Sequence, residues 1–164
     1  MRRPALVLLL AGVGLLLASW PVPGMLLRVN GRPVAWLPLA DGEQVALTWV
    51  HSVSSIVVKE VFRYQNGTLY FMETHNPWFA AGLGEVPGRG RVVSEAGHAV
   101  AIVDIREPAW DLVFRLGAPE IDHTLWYWGR PFRLSRCYPH ERFSWEKARR
   151  PWLLSLFMTK DPCL

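Results

Sequence analysis

Apolar and polar residues alternate with a period of two along most of the chain beyond its first 24 residues. The pattern is densest over residues 44–84, QVALTWVHSVSSIVVKEVFRYQNGTLYFMETHNPWFAAGLG. Period two marks strands with one buried face. Asn66-Gly67, set between β-branched and aromatic runs, is the strongest short-range hairpin signal in the chain, a two-residue type I′ turn. Such a turn predicts a register in which Gln65 pairs with Thr68, Tyr64 with Leu69 and Phe62 with Phe71, and Glu60 falls opposite Glu73. The preceding run, 45–53, returns through Ser54-Ser55. An even loop centred there sets His51 opposite Val58, with His75 opposite Val58 from the other side. The predicted buried face therefore carries Val45, Leu47, Trp49, Val53, Ile56, Val58, Phe62, Tyr64, Leu69 and Phe71, and with them His51, Glu60, Glu73 and His75. Directly opposed carboxylates repel, so this face calls for a shared proton, a cation or a basic side chain.

The same reading extends outward. Residues 25–29, Asn30-Gly31 and residues 33–37 predict a small hairpin, with Pro33 and Pro38 at edge positions. Asn76-Pro77 breaks the central unit, and residues 85–91, EVPGRGR, form a basic glycine-containing loop that suits a surface turn or an anion cradle. Strand signals resume over residues 91–94, 98–105, 111–116 and 124–128, and Gly129-Arg130-Pro131 turns the chain away. Short strands at this spacing predict an all-β fold, a small antiparallel β-sandwich or partly open barrel. From Phe132 onward arginines and lysines interleave with Phe143, Trp145, Trp152 and Phe157. Residues 141–150, with Glu146 and Arg150 at i,i+4, predict a short helix. The expected organisation is a signal anchor or signal peptide over 1–24, an exported β domain over 25–134, and a basic aromatic tail over 135–164 that suits a membrane interface.

The ends and the composition change this picture in one respect. Arg2 and Arg3 precede an uncharged apolar run over residues 5–20, long for a signal-peptide core and short for a comfortable span. No clean small-x-small cleavage pair follows, which favours an uncleaved transmembrane helix over a cleaved signal. The positive-inside rule then places the rest of the chain at the outer face of the cytoplasmic membrane. In that location the net charge of +4 points to an anionic membrane and away from nucleic acid. Cys137 and Cys163 are the only cysteines, compatible with one disulfide and far from a disulfide scaffold.

Several chemistries suit the polar residues of the central unit. His51-Ser52 suggests a base and nucleophile, but neighbours on a strand point to opposite faces, and there is no Gly-x-Ser-x-Gly elbow. A divalent metal held by His51, Glu60, Glu73 and His75 would relieve the opposed glutamates, although the spacing matches no compact zinc motif. A paired-carboxylate glycosidase needs a cleft where these residues predict a core. A buried polar network, or a pocket for a small polar ligand or a partner loop, accounts for the same residues. There is no dinucleotide fingerprint, phosphate loop or haem-attachment motif, so no cofactor is expected.

His51-Ser52-Val53, Glu60-Val61-Phe62, Glu73-Thr74 and Gly82-Leu83, in this order and spacing, resemble the DUF1850 family. The resemblance implies a membrane segment followed by a small exported domain, often found alongside TRAP transporters of the TAXI type. The register and these motif positions together give His51, Ser52, Glu60, Glu73, His75 and Gly82 as the candidate ligand- or partner-binding cluster, to which the resemblance assigns no activity. The chain departs from the family pattern at His75, where a basic residue is common, at Ala80, where glycine is common, and at Val57 and Gly84, where prolines are. With His75 in the basic position, neutralisation of the glutamate pair becomes pH-dependent. The resulting expectation is a non-enzymatic, membrane-anchored accessory or binding protein whose partner is a transporter subunit or solute-binding protein. The alternative is an exported metal-dependent hydrolase using the Glu/His cluster.

Overall fold

A helix, α1 (Arg3–Ser19), is followed after Trp20 alone by strand β1 (Pro21–Val29). In chain order there follow β2 (Arg32–Pro38), β3 (Gln44–Val50), β4 (Val57–Gln65), β5 (Thr68–Asn76), β6 (Arg91–Ser94), β7 (Val100–Val103), β8 (Glu107–Pro108) and β9 (Val113–Arg115). Then come β10 (Thr124–Tyr127), β11 (Arg130–Arg133), the single turn α2 (Leu134–Cys137), and β12 (Arg142–Pro151). This computed structural model describes residues 3–76, 90–94 and 100–154. Gly82, most of the basic 85–91 loop and Cys163 lie outside the described residues.

The described strands form two antiparallel sheets. One has four strands in the order β2-β1-β12-β9. The other has eight, in the order β11-β10-β3-β4-β5-β7-β6 with β8 added against β5. Alternate residues of both sheets meet in one core, with Met25, Leu27, Phe143 and Trp145 from the first packed on Val45, Leu47, Phe62, Leu69 and Leu125 from the second. Trp145 stands edge-on to Phe62 at 5.0 Å between centroids, a favoured aromatic geometry. The fold is therefore mostly β, as the alternation predicts.

The glycine turns form as their letters require. Asn30 and Gly31, and again Asn66 and Gly67, all have positive φ, the type I′ backbone that follows strand twist. A third turn of this kind, at Trp128 and Gly129, joins β10 to β11, so this stretch continues the sheet where the sequence predicts an exit from it.

Two expectations are corrected by the register. The β4–β5 hairpin pairs Tyr64 with Leu69 and Phe62 with Phe71 as predicted, but a bulge then places Val61 opposite Glu73 and Glu60 opposite Thr74. Met72 is the extra residue, and it inverts the facing of everything beyond it. The bulge removes the opposed glutamates: the buried partner of Glu60 is a threonine, 6% exposed. The β3–β4 loop is even but centred one residue earlier than predicted, with Trp49 opposite Val58 and the His51 N–H bonded to the Ile56 carbonyl. Val53 is thereby carried to the loop tip, 88% exposed.

The predicted helix over 141–150 is instead β12, which pairs with β1 from Val29↔Phe143 to Pro21↔Pro151. Its i,i+4 charges lose to the stronger requirement that Phe143 and Trp145, two residues apart, both enter the core. Helix α1 is apolar around its circumference and exposed, including Leu8, Leu9, Val13 and Leu16. Among the described residues no helix is long and apolar enough to cross a membrane.

Candidate functional site

The bulge divides the predicted polar cluster between two faces. Glu60 stays on the inner face of β4, between the sheets. Glu73 and His75 sit two apart on the outer face of β5, with Glu73 Oε2 and His75 Nε2 3.0 Å from each other, and His75 pairs with Lys59 where Val58 was predicted. His51 closes its own loop: its Nδ1 faces the Ser54 hydroxyl at 3.1 Å and the Val53 and Ser54 N–H groups at 3.4 Å. Ser52 is exposed on that loop. Among the described residues no three of His, Cys, Asp or Glu come together as a metal requires.

Glu60 instead shares a cleft of about 320 Å³ with Leu47, Trp49, Leu112, Phe114, Arg115 and His123. His123 carries no period-two signal of its own, standing between the turn at Pro119–Ile121 and the start of β10. Its backbone and ring are fixed by Ser135 on α2: the His123 N–H donates to Ser135 Oγ at 3.0 Å, and the Ser135 N–H donates back to the His123 carbonyl at 3.2 Å. His123 Nδ1 lies 3.1 Å from the same hydroxyl and accepts the Gly117 N–H at 3.2 Å. A Cβ at Gly117 would sit 2.6 Å from Ile121, so only glycine allows the backbone to come this close.

A backbone N–H can only donate, so Nδ1 is the unprotonated nitrogen and the proton of the neutral ring is on Nε2. The imidazole stacks on Trp49, 6.0 Å between centroids and 13° from parallel, and leans on Phe114 at 5.5 Å. Burial among these rings lowers its pKa from 6.5 to about 4, against a smaller opposing pull from Asp122. The cleft thus combines a fixed neutral N–H donor, a carboxylate, and Arg115, whose guanidinium also holds the His140 carbonyl at 2.8 Å. Apolar walls surround them. This arrangement donates and accepts hydrogen bonds; it presents no basic imidazole nitrogen for abstracting a proton.

An antiparallel two-sheet β domain with a polar, aromatic-walled cleft between its sheets is the class of protein that these features define. Residues 45–134 match the family described as Domain of unknown function (DUF1850). The match takes in more than half of the chain, and the chain belongs to that family. A search of curated proteins and a search of solved structures each returned no match.

Proposed function

We propose that this chain is a membrane-held binding module at the outer face of the cytoplasmic membrane, acting by contact without catalysing a reaction. The observation that carries the reading is α1, exposed and apolar on all sides. A helix of this kind needs an apolar surrounding, which the β domain does not supply. Its 17 residues reach about 25 Å at 1.5 Å each, most of the way across a hydrocarbon layer of about 30 Å. Modest local thinning accommodates the difference. Trp20, largely exposed, and Trp152, about half exposed, stand at its domain end, where the Trp152 backbone N–H donates to the Trp20 carbonyl at 3.3 Å. Tryptophan is favoured at the bilayer interface. The membrane-facing surface is therefore assigned to this junction, and not to a free basic tail, because β12 is part of a sheet.

A TAXI-type TRAP transporter subunit or its solute-binding protein is the partner class, on the strength of the family resemblance. The Glu60–His123 cleft is the surface for a small polar ligand or a partner loop. A metal-dependent hydrolase would need His51, Glu60, Glu73 and His75 together, and they lie in three separate places, so that alternative is not carried forward. Carbonate extraction of membranes from cells making the full chain tests the anchoring. The protein is expected in the membrane pellet, and a Leu9→Lys, Val13→Lys variant in the wash; wild-type protein in the wash would sink the reading. Detergent co-purification with co-expressed TAXI transporter subunits tests the partner class, which recovery of no subunit would remove.

A further inference from the structure

A second cavity, of about 500 Å³, opens at the other end of the inter-sheet space, at the foot of α1, where Val22 and Pro23 of β1 form part of its wall. Tyr64, Trp128 and Trp152 supply its aromatic surface, and Asp41 and Glu43 its carboxylates. Both acids are held in place by backbone donors. Asp41 Oδ1 accepts the Asn66 N–H at 2.6 Å, and Glu43 Oε2 accepts the Ala40 N–H at 2.9 Å. Glu43 Oε1 is shut off from solvent, and the Trp128 side chain hydrogen-bonds to this carboxylate. Burial raises the pKa of Glu43, partly opposed by the Ala40 N–H and by Trp128.

Trp128 does not suit the turn that it occupies. It is 70% exposed, with φ at +50°, a conformation that favours Asn or Gly. Its ring is nonetheless fixed by stacking on Tyr127, 4.9 Å between centroids and 16° from parallel. A large aromatic kept at a strained, exposed position beside a carboxylate is the chemistry of organic-cation recognition. Two basic side chains stand near the wall residues Gly67 and Tyr64. Lys147 and Arg149 continue the Phe143 and Trp145 face of β12 beyond the core. Lys147 Nζ is 3.6 Å from where a Cβ of the wall residue Gly67 would stand, and Arg149 acts electrostatically on Tyr64.

We propose that this cavity binds a zwitterionic phospholipid headgroup, its ammonium against the rings of Trp128 and Trp152 in the field of Asp41 and Glu43, and its phosphate toward Lys147 and Arg149. The lipid as source rests on the membrane reading above; the ammonium-phosphate chemistry does not, and a free phosphoethanolamine would share it. The test uses the full chain in detergent, titrated with glycerophosphoethanolamine and followed by tryptophan fluorescence, and the full chain in nanodiscs of phosphatidylethanolamine or phosphatidylglycerol, with lipid retention read by native mass spectrometry. Saturable binding is expected. Trp128→Ala, at an exposed turn, should weaken it about tenfold, and Lys147→Ala with Arg149→Ala should abolish the advantage of glycerophosphoethanolamine over ethanolamine alone. In nanodiscs phosphatidylethanolamine should be retained over phosphatidylglycerol. Absence of saturable probe binding, or binding unchanged in Trp128→Ala, overturns the proposal. Probe binding together with equal retention of the two lipids overturns the lipid source and leaves a free zwitterion as ligand. Failure of the chain to enter membranes, with probe binding intact, overturns the anchoring and not the cavity's chemistry.

Discussion

The two sheets differ in where their strands come from. The eight-stranded sheet is drawn almost entirely from residues 45–134, the stretch that matches the family, and four of its pairings join strands consecutive in sequence. The four-stranded sheet takes only β9 from that stretch. Its β1, β2 and β12 come from the flanks, and β1 with β12 joins residues more than a hundred apart, such as Leu27 and Trp145. The difference teaches that the family-matched segment supplies the cleft's Glu60 and His123 and one whole sheet, but not the cover for that sheet's apolar face. Among the described residues, eight of the eighteen buried side chains of the core come from outside the matched boundaries.

Four measurements bear on this division. The largest effect is expected from expressing residues 45–134 alone: without Met25, Leu27, Phe143 and Trp145 over its apolar face, the fragment should bind ANS and show no cooperative thermal transition. A cooperative melt would show that the eight-stranded sheet stands by itself. Next, Trp145→Ala should cost about 3–5 kcal/mol in urea denaturation, since this ring is 1% exposed and bridges the sheets. Trp126→Ala, on the outer face and 39% exposed, should cost about 1 kcal/mol. Equal losses would mean that the sheets do not share a core.

The third measurement concerns the cleft. Folded His123 titrates at about 4 and the unfolded residue near 6.5, so between these values the unfolded chain binds the extra proton. Its contribution is present above pH 6.5 and is lost as pH falls toward 4. For a partly accessible ring the loss is on the order of 2 kcal/mol. His123→Asn, which keeps an acceptor for the Gly117 N–H, should flatten the stability profile in that window; an unchanged slope would place the titration elsewhere. The smallest effect belongs to the β1–β12 ion pair of Arg28 and Glu146, at 2.8 Å and partly exposed. Arg28→Ala should cost under about 1 kcal/mol and less in high salt. A double-mutant cycle with Glu146→Ala would reveal any larger coupling.

The asymmetry also governs what was legible in the sequence. Alternation and glycine-containing turns are local, so the β1–β2 and β4–β5 hairpins could be read, the second with its register near the turn. Met72 was not legible as a bulge: a turn dictates pairing only until another preference intervenes, and the bulge leaves the two carboxylates on opposite faces of the sheet. β12 was misread because its inward-facing residues number only two before the charged run begins, and Glu146 and Arg150 also suit a helix. His123 was missed because its environment is assembled from Trp49, Phe114, Gly117 and Ser135, which no spacing rule connects. The one local hint, a histidine between a turn and a strand, is too common to single it out.

Trp20 alone separates α1 from β1, and this brevity has a mechanical consequence. A domain on a long polar leader samples a wide hemisphere and meets partners from solution. One mounted through a single residue, and braced there by the Trp152 N–H, has almost no rotational play about its support. If α1 lies in a bilayer, each cleft keeps a constant height and heading above the lipid, and the encounters that count are sideways, with neighbours diffusing in the same plane. In that placement a lateral companion would meet the clefts more readily than a soluble one.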